Sequence, residues 1–119
     1  MRHPVQWLLG LTLAGVVAAC GGAAATPAPT PVVVTLEATE FAFDQTAISI
    51  PAGIATTITL TNGGTIEHDF KVDALNFMVH TTPGETLSGT LTAAAGTYDF
   101  YCSIAGHKEA GMVGIMTVN

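Results

Sequence analysis

Basic residues are nearly missing from this 119-residue chain: Lys and Arg together number three, against nine Asp and Glu. Arg2 falls in the leader described below, so the rest carries Lys71 and Lys108 against nine acidic residues, a balance of 2 − 9 = −7 with histidines neutral. A domain of that sign is repelled by phosphate backbones, which argues against nucleic acid as a partner. Charge of either sign is scarce, at 10% of residues, and no long stretch repeats its apolar residues every 3.6 positions. Amphipathic helices are therefore not expected, whereas the abundant Thr, Gly, Ala and Val favour short strands. Cysteine is limited to Cys20 and Cys102. Each sits in a context that explains it separately, so no disulfide is expected between them.

The chain also lacks a hydrophobic run long enough to cross a bilayer. Trp7 to Ala19 is about 13 residues, short of the roughly 20 that a spanning helix needs. Arg2 and His3 precede it and small residues close it, the layout of a secretory leader, so residues 1–19 read as a signal peptide and the protein as exported. Val17-Ala18-Ala19-Cys20 resembles the bacterial lipoprotein signal. That resemblance implies an acylated Cys20 as the first mature residue, a membrane anchor on the extracytoplasmic or periplasmic face, and a thiol no longer open to pairing. Gly21 to Pro31 (GGAAATPAPTP) has no charge and no large apolar group, so it cannot bury a core. With Cys20 it reads as a tether over 20–31, reaching roughly 30 Å if its prolines hold it extended.

The remainder, 32–119, is long enough for one small core. Strand signals recur along it between turn residues such as Pro51-Ala52-Gly53, Asn62-Gly63-Gly64, Pro83-Gly84 and Ala95-Gly96. Thr56 to Thr61 alternates, placing Ile58 and Leu60 on one face and threonines on the other. Seven to eight short strands in this length imply an all-β Greek-key sandwich, expected as a monomer.

The chemistry concentrates in Thr97 to Asn119, TYDFYCSIAGHKEAGMVGIMTVN. Tyr98, Phe100 and Cys102 share one strand face, which turns the thiol inward. Four residues separate Cys102 from His107 and four more separate His107 from Met112, with Gly106, Gly111 and Gly114 to let the loop curl. His68, on the strand after the Asn62-Gly63-Gly64 turn, supplies a second imidazole. Two imidazoles, one thiolate and a distant thioether form a set that suits copper moving between its two oxidation states.

Asn62 to Val72 (NGGTIEHDFKV) and Tyr98 to Met112 resemble the first-histidine segment and the Cys, His and Met loop of the cupredoxins, the type 1 or blue copper proteins. The C-x4-H-x4-M spacing is similar to that of auracyanins and rusticyanin. The resemblance implies one copper ion held by His68, Cys102 and His107, with Met112 as a weak axial ligand. It also implies single-electron transfer with a cytochrome or membrane redox complex. Its pattern places the His107 ring at the surface and His68 deeper, so that a partner docks near His107 while carboxylates elsewhere steer a basic one. Two departures stand out: Asp69 where relatives carry Asn, and Ala105 where many carry Pro. A side chain at 69 is expected to hydrogen-bond across to the Cys-bearing loop.

Three other classes fit less well. A copper enzyme needs a second, open metal site with several further histidines, and only His80 is spare beyond the leader. A binuclear copper site needs a second cysteine four residues after Cys102, and position 106 is glycine. Copper chaperones expose Met or Cys clusters instead of enclosing two His and one Cys. His80, Met78 and Met116 read as ordinary strand, rim or core residues.

Overall fold

A computed structural model describes Gly15, Gly21, Gly22 and residues 24–119. The expected signal peptide, Gly15 apart, and Cys20, with its expected lipid, lie outside the described residues. Positions 24–31 are exposed and carry no strand, and the first strand starts at Val32. Among the described residues no helix is long and apolar enough to cross a membrane.

Among the described residues nine strands form two sheets. They are β1 (Val32–Thr39), β2 (Ala42–Phe43), β3 (Ala47–Ile50), β4 (Thr56–Asn62), β5 (His68–Val72), β6 (Phe77–Thr81), β7 (Thr86–Leu91), β8 (Gly96–Tyr101) and β9 (Val113–Val118). One sheet runs β2-β1-β4-β7 and the other β3-β9-β8-β5-β6. Consecutive strands repeatedly change sheet, as a Greek-key sandwich requires. The β1–β4 and β3–β9 pairs are parallel, so both sheets are mixed. The count exceeds the expected seven to eight because the two-residue β2 pairs with the end of β1 through Ala38 and Thr39.

Period-2 alternation decides what each sheet buries. In β4, Thr56, Ile58, Leu60 and Asn62 face the core while Thr57, Thr59 and Thr61 face out. Those three pair by hydroxyl contacts with Thr90, Ser88 and Thr86 of β7, which satisfies a polar outer face. Within one sheet Phe70 of β5 and Phe100 of β8 stack at 4.8 Å, and across the sandwich Phe43 of β2 meets Phe100 edge-on at 5.5 Å. Each fully buried large side chain of this kind contributes roughly 1.5–3 kcal/mol. Phe100 fits only because residue 114 has no side chain: a Cβ there would stand 2.2 Å from Phe100 Cζ.

Asn62 converts this sandwich into a frame for the site. It is 2% exposed, yet its amide donates to the carbonyls of Ile66 (2.8 Å) and Thr81 (3.2 Å) and its Oδ1 accepts from Gly64 N–H (2.9 Å). Those bonds pin the turn that delivers the chain to His68 at the first position of β5. A second tie at that point runs from Thr81 Oγ1 to His68 O (3.2 Å).

Candidate metal centre

Three pieces of chain converge at one end of the sandwich: the start of β5, the residue after β8, and the loop between β8 and β9. Their donors are His68, Cys102 and His107, whose ligand-capable atoms all lie within 4.8 Å of one another and whose residues are all buried. Cys102 Sγ is 3.4 Å from His107 Nδ1, and the two imidazole centroids are 5.0 Å apart. Cys102 is a free thiol.

The loop is held by its own backbone. His107 N–H donates to Ile104 O (3.0 Å), Met112 N–H to His107 O (3.1 Å) and Cys102 N–H to Met112 O (3.1 Å). The tight return needs left-handed backbone at Gly106 (φ 83°) and Gly111 (φ 110°), which glycine adopts without penalty. Met112, fully buried, is thereby tied to both Cys102 and His107.

The expected bridge from position 69 is present. Asp69 is 1% exposed; its Oδ1 accepts from Ser103 N–H (2.6 Å) and its Oδ2 from Ser103 Oγ (2.5 Å), joining β5 to the residue after Cys102. Its own N–H donates to Cys102 Sγ (3.3 Å), aiming a dipole at the sulfur that favours a thiolate.

Electrostatics fit a bound cation. Burial, then the nearby His107, holds His68 below the ordinary imidazole value, so the ring is neutral near pH 7 and offers a lone pair. Burial also pushes the Cys102 thiol up, partly opposed by the Asp69 and Ile104 backbone N–H groups. A metal must therefore displace a proton from sulfur when it binds. Both ring nitrogens of His68 are buried without a hydrogen-bond partner. Leaving such groups unsatisfied costs roughly 1–3 kcal/mol each, a penalty that a ligated ion removes at the nitrogen it binds.

One expectation is corrected. His107 does not reach the surface; it is 5% exposed, because the ring of Phe41 stands edge-on to it at 4.9 Å and 75°. Phe41, 45% exposed, occupies the surface position instead. His68 is the deeper of the two at 0%. Phe41 and its neighbour Glu40, whose Oε1 lies 3.6 Å from His68 Nε2, were invisible as site residues in the sequence. They sit in the β1–β2 turn, far from every donor along the chain. His80 stays outside the cluster, on the surface beside Glu67 Oε2 (3.1 Å). Met116 is core and Met78 is exposed rim.

The fold and donor set define a small β-sandwich with an enclosed nitrogen and sulfur site. The chain belongs to the Cupredoxin-like domain family, which matches residues 10–118. It is 33% identical over 97 residues to the copper-resistant cuproprotein CopI of Rubrivivax gelatinosus, covering 64% of this chain and 59% of that protein. Plastocyanin of Sambucus nigra is 65% identical over 37 residues, 31% of this chain and 34% of plastocyanin. The chain thus spans about three-fifths or less of these relatives. Among solved structures, auracyanin B superposes with a TM-score of 0.67 at 27% identity, covering 76% of this chain and 91% of auracyanin B. Auracyanin A, a "blue" copper protein of Chloroflexus aurantiacus, gives 0.64 at 25% identity, covering 76% and 100%.

Proposed function

We propose that this protein is a type 1 copper electron carrier, exported and lipid-anchored through Cys20, with His68, Cys102 and His107 as copper ligands and Met112 as the weak axial one. The observation that carries the reading is the buried donor cluster, with ligand atoms within 4.8 Å of one another and both nitrogens of His68 otherwise idle. Bound copper would supply a one-electron couple. The protein's part is to hold the donors still: the Asp69–Ser103 bonds, the Cys102–Met112 bond and the Met112–His107 bond cross-brace all the elements that carry them. Little then has to move when the charge changes, and burial keeps water from becoming a further ligand.

The carboxylates that outnumber Lys71 and Lys108 favour a basic or cationic redox partner, such as a cytochrome or membrane redox complex, met on the outer face of the membrane. Likeness to CopI raises a second reading, copper tolerance by sequestration. The enclosed two-His, one-Cys set supports electron transfer better, since a site that hands metal on needs exposed ligands. Copper-loaded protein should show an intense visible Cu(II)–thiolate band and reversible one-electron reduction. Cys102→Ser should lose the band and most copper affinity while keeping the folded sandwich. A fully coloured Cys102→Ser protein would refute the assignment.

A further inference from the structure

We propose that Glu40 is the positioning residue for His68: its carboxylate, built into the turn between β1 and β2, sets the imidazole tautomer that turns Nδ1 to the metal. The inference rests on the copper reading above and adds to it a residue that lies 28 positions before His68.

The carboxylate is fixed before it meets the ring. Oε1 accepts from Thr65 N–H (2.6 Å), Ile66 N–H (3.1 Å) and Thr65 Oγ1 (3.4 Å). The space it fills exists because residue 64 lacks a side chain; a Cβ there would lie 2.4 Å from Oε1. From that seat Oε1 is 3.6 Å from His68 Nε2. Among the described residues no group forms a hydrogen bond with that buried nitrogen, and the Glu40 carboxylate lies beside it.

A neutral imidazole carries one N–H, and an anion beside Nε2 draws that hydrogen there. The lone pair is left on Nδ1, the remaining nitrogen able to ligate. A carboxylate behind a ligating imidazole also makes the ligand more basic, which favours the more highly charged state of the metal.

The substitution Glu40→Gln separates this role from a purely structural one. The amide oxygen still accepts from Thr65 and Ile66, so the turn keeps its bonds, but the charge facing Nε2 is gone. In copper-loaded full-length protein the reduction potential should rise, by about 59 mV for each tenfold loss of Cu(II) affinity relative to Cu(I). A tenfold loss is the low end for removing such an outer partner. Glu85→Gln is the control, because it removes an equal charge from a carboxylate likewise capped by a backbone N–H, that of Thr82. In metal-free protein, 15N shifts should show His68 as the Nε2–H tautomer in the wild type and a mixture in Glu40→Gln. Equal potential shifts in Glu40→Gln and Glu85→Gln would overturn the proposal, as would a wild-type His68 protonated at Nδ1. A wild-type protein that takes up copper without the visible band defeats the blue-copper reading alone, because the tautomer measurement needs no metal.

Discussion

Replacing Asp69 by alanine tests whether the bracing between β5 and the Cys102 loop matters. The substitution deletes two short bonds to Ser103, at 2.6 Å and 2.5 Å, from a carboxylate that is 1% exposed. Hydrogen bonds to a charged acceptor contribute about 1.5–3 kcal/mol each, and these two share one carboxylate, so a loss of about 2–4 kcal/mol in metal-free stability is expected. Asparagine keeps Oδ1 for the Ser103 N–H and can donate its amide to the Ser103 hydroxyl, so Asp69→Asn should cost under about 1 kcal/mol. Ser103 follows Cys102 directly, and a looser loop should weaken copper binding about 10–100-fold in Asp69→Ala. Urea denaturation of the metal-free forms and competition against a chelator measure the two quantities. If Asp69→Ala matched Asp69→Asn in both, the site would be braced by something other than this carboxylate.

Met112→Leu should retain copper and its colour while raising the potential, since a weak axial donor tunes the ion more than it holds it; complete loss of copper would make Met112 a principal ligand. Gly114→Ala places a methyl 2.2 Å from Phe100 Cζ within a packed aromatic cluster, and should destabilise by about 1–3 kcal/mol or more, read as a lower thermal midpoint. His68 has its folded value below the unfolded one, so the unfolded chain binds more protons as pH falls below about 6.5. Metal-free protein should therefore lose stability as pH falls through and below about 6.5, and His68→Asn should flatten that slope; an unchanged slope would remove His68 as its source. Phe41→Glu puts a charge on the exposed ring that covers His107, and should slow electron exchange with a cytochrome while leaving the visible band intact. Unchanged exchange would place the exit elsewhere on the sandwich.

The chain order alone determined the strands and most of the donor set. Alternation in Thr56 to Thr61 shows which face of β4 is buried, and the spacing of Cys102, His107 and Met112 within one loop makes their convergence a local event. Local geometry of that kind is legible because period and glycine placement are properties of adjacent residues. His68 could be offered as the second imidazole from its place after the Asn62-Gly63-Gly64 turn, a choice the resemblance reinforced, and Asp69 could be named as a bridge only because it follows His68. What tertiary structure alone decided is the shell around the donors. Glu40 and Phe41 reach His68 and His107 because β1 and β2 lie beside the β4–β5 connection in the folded sandwich, an adjacency set by parallel pairing of β1 with β4. Nothing in the residues Thr39 to Ala42 signals a contact with a ring so distant along the chain. The same pairing moves the surface from His107 to Phe41: a side chain's exposure depends on which element packs over it, and long-range strand pairing, not the sequence of the loop, supplies that element.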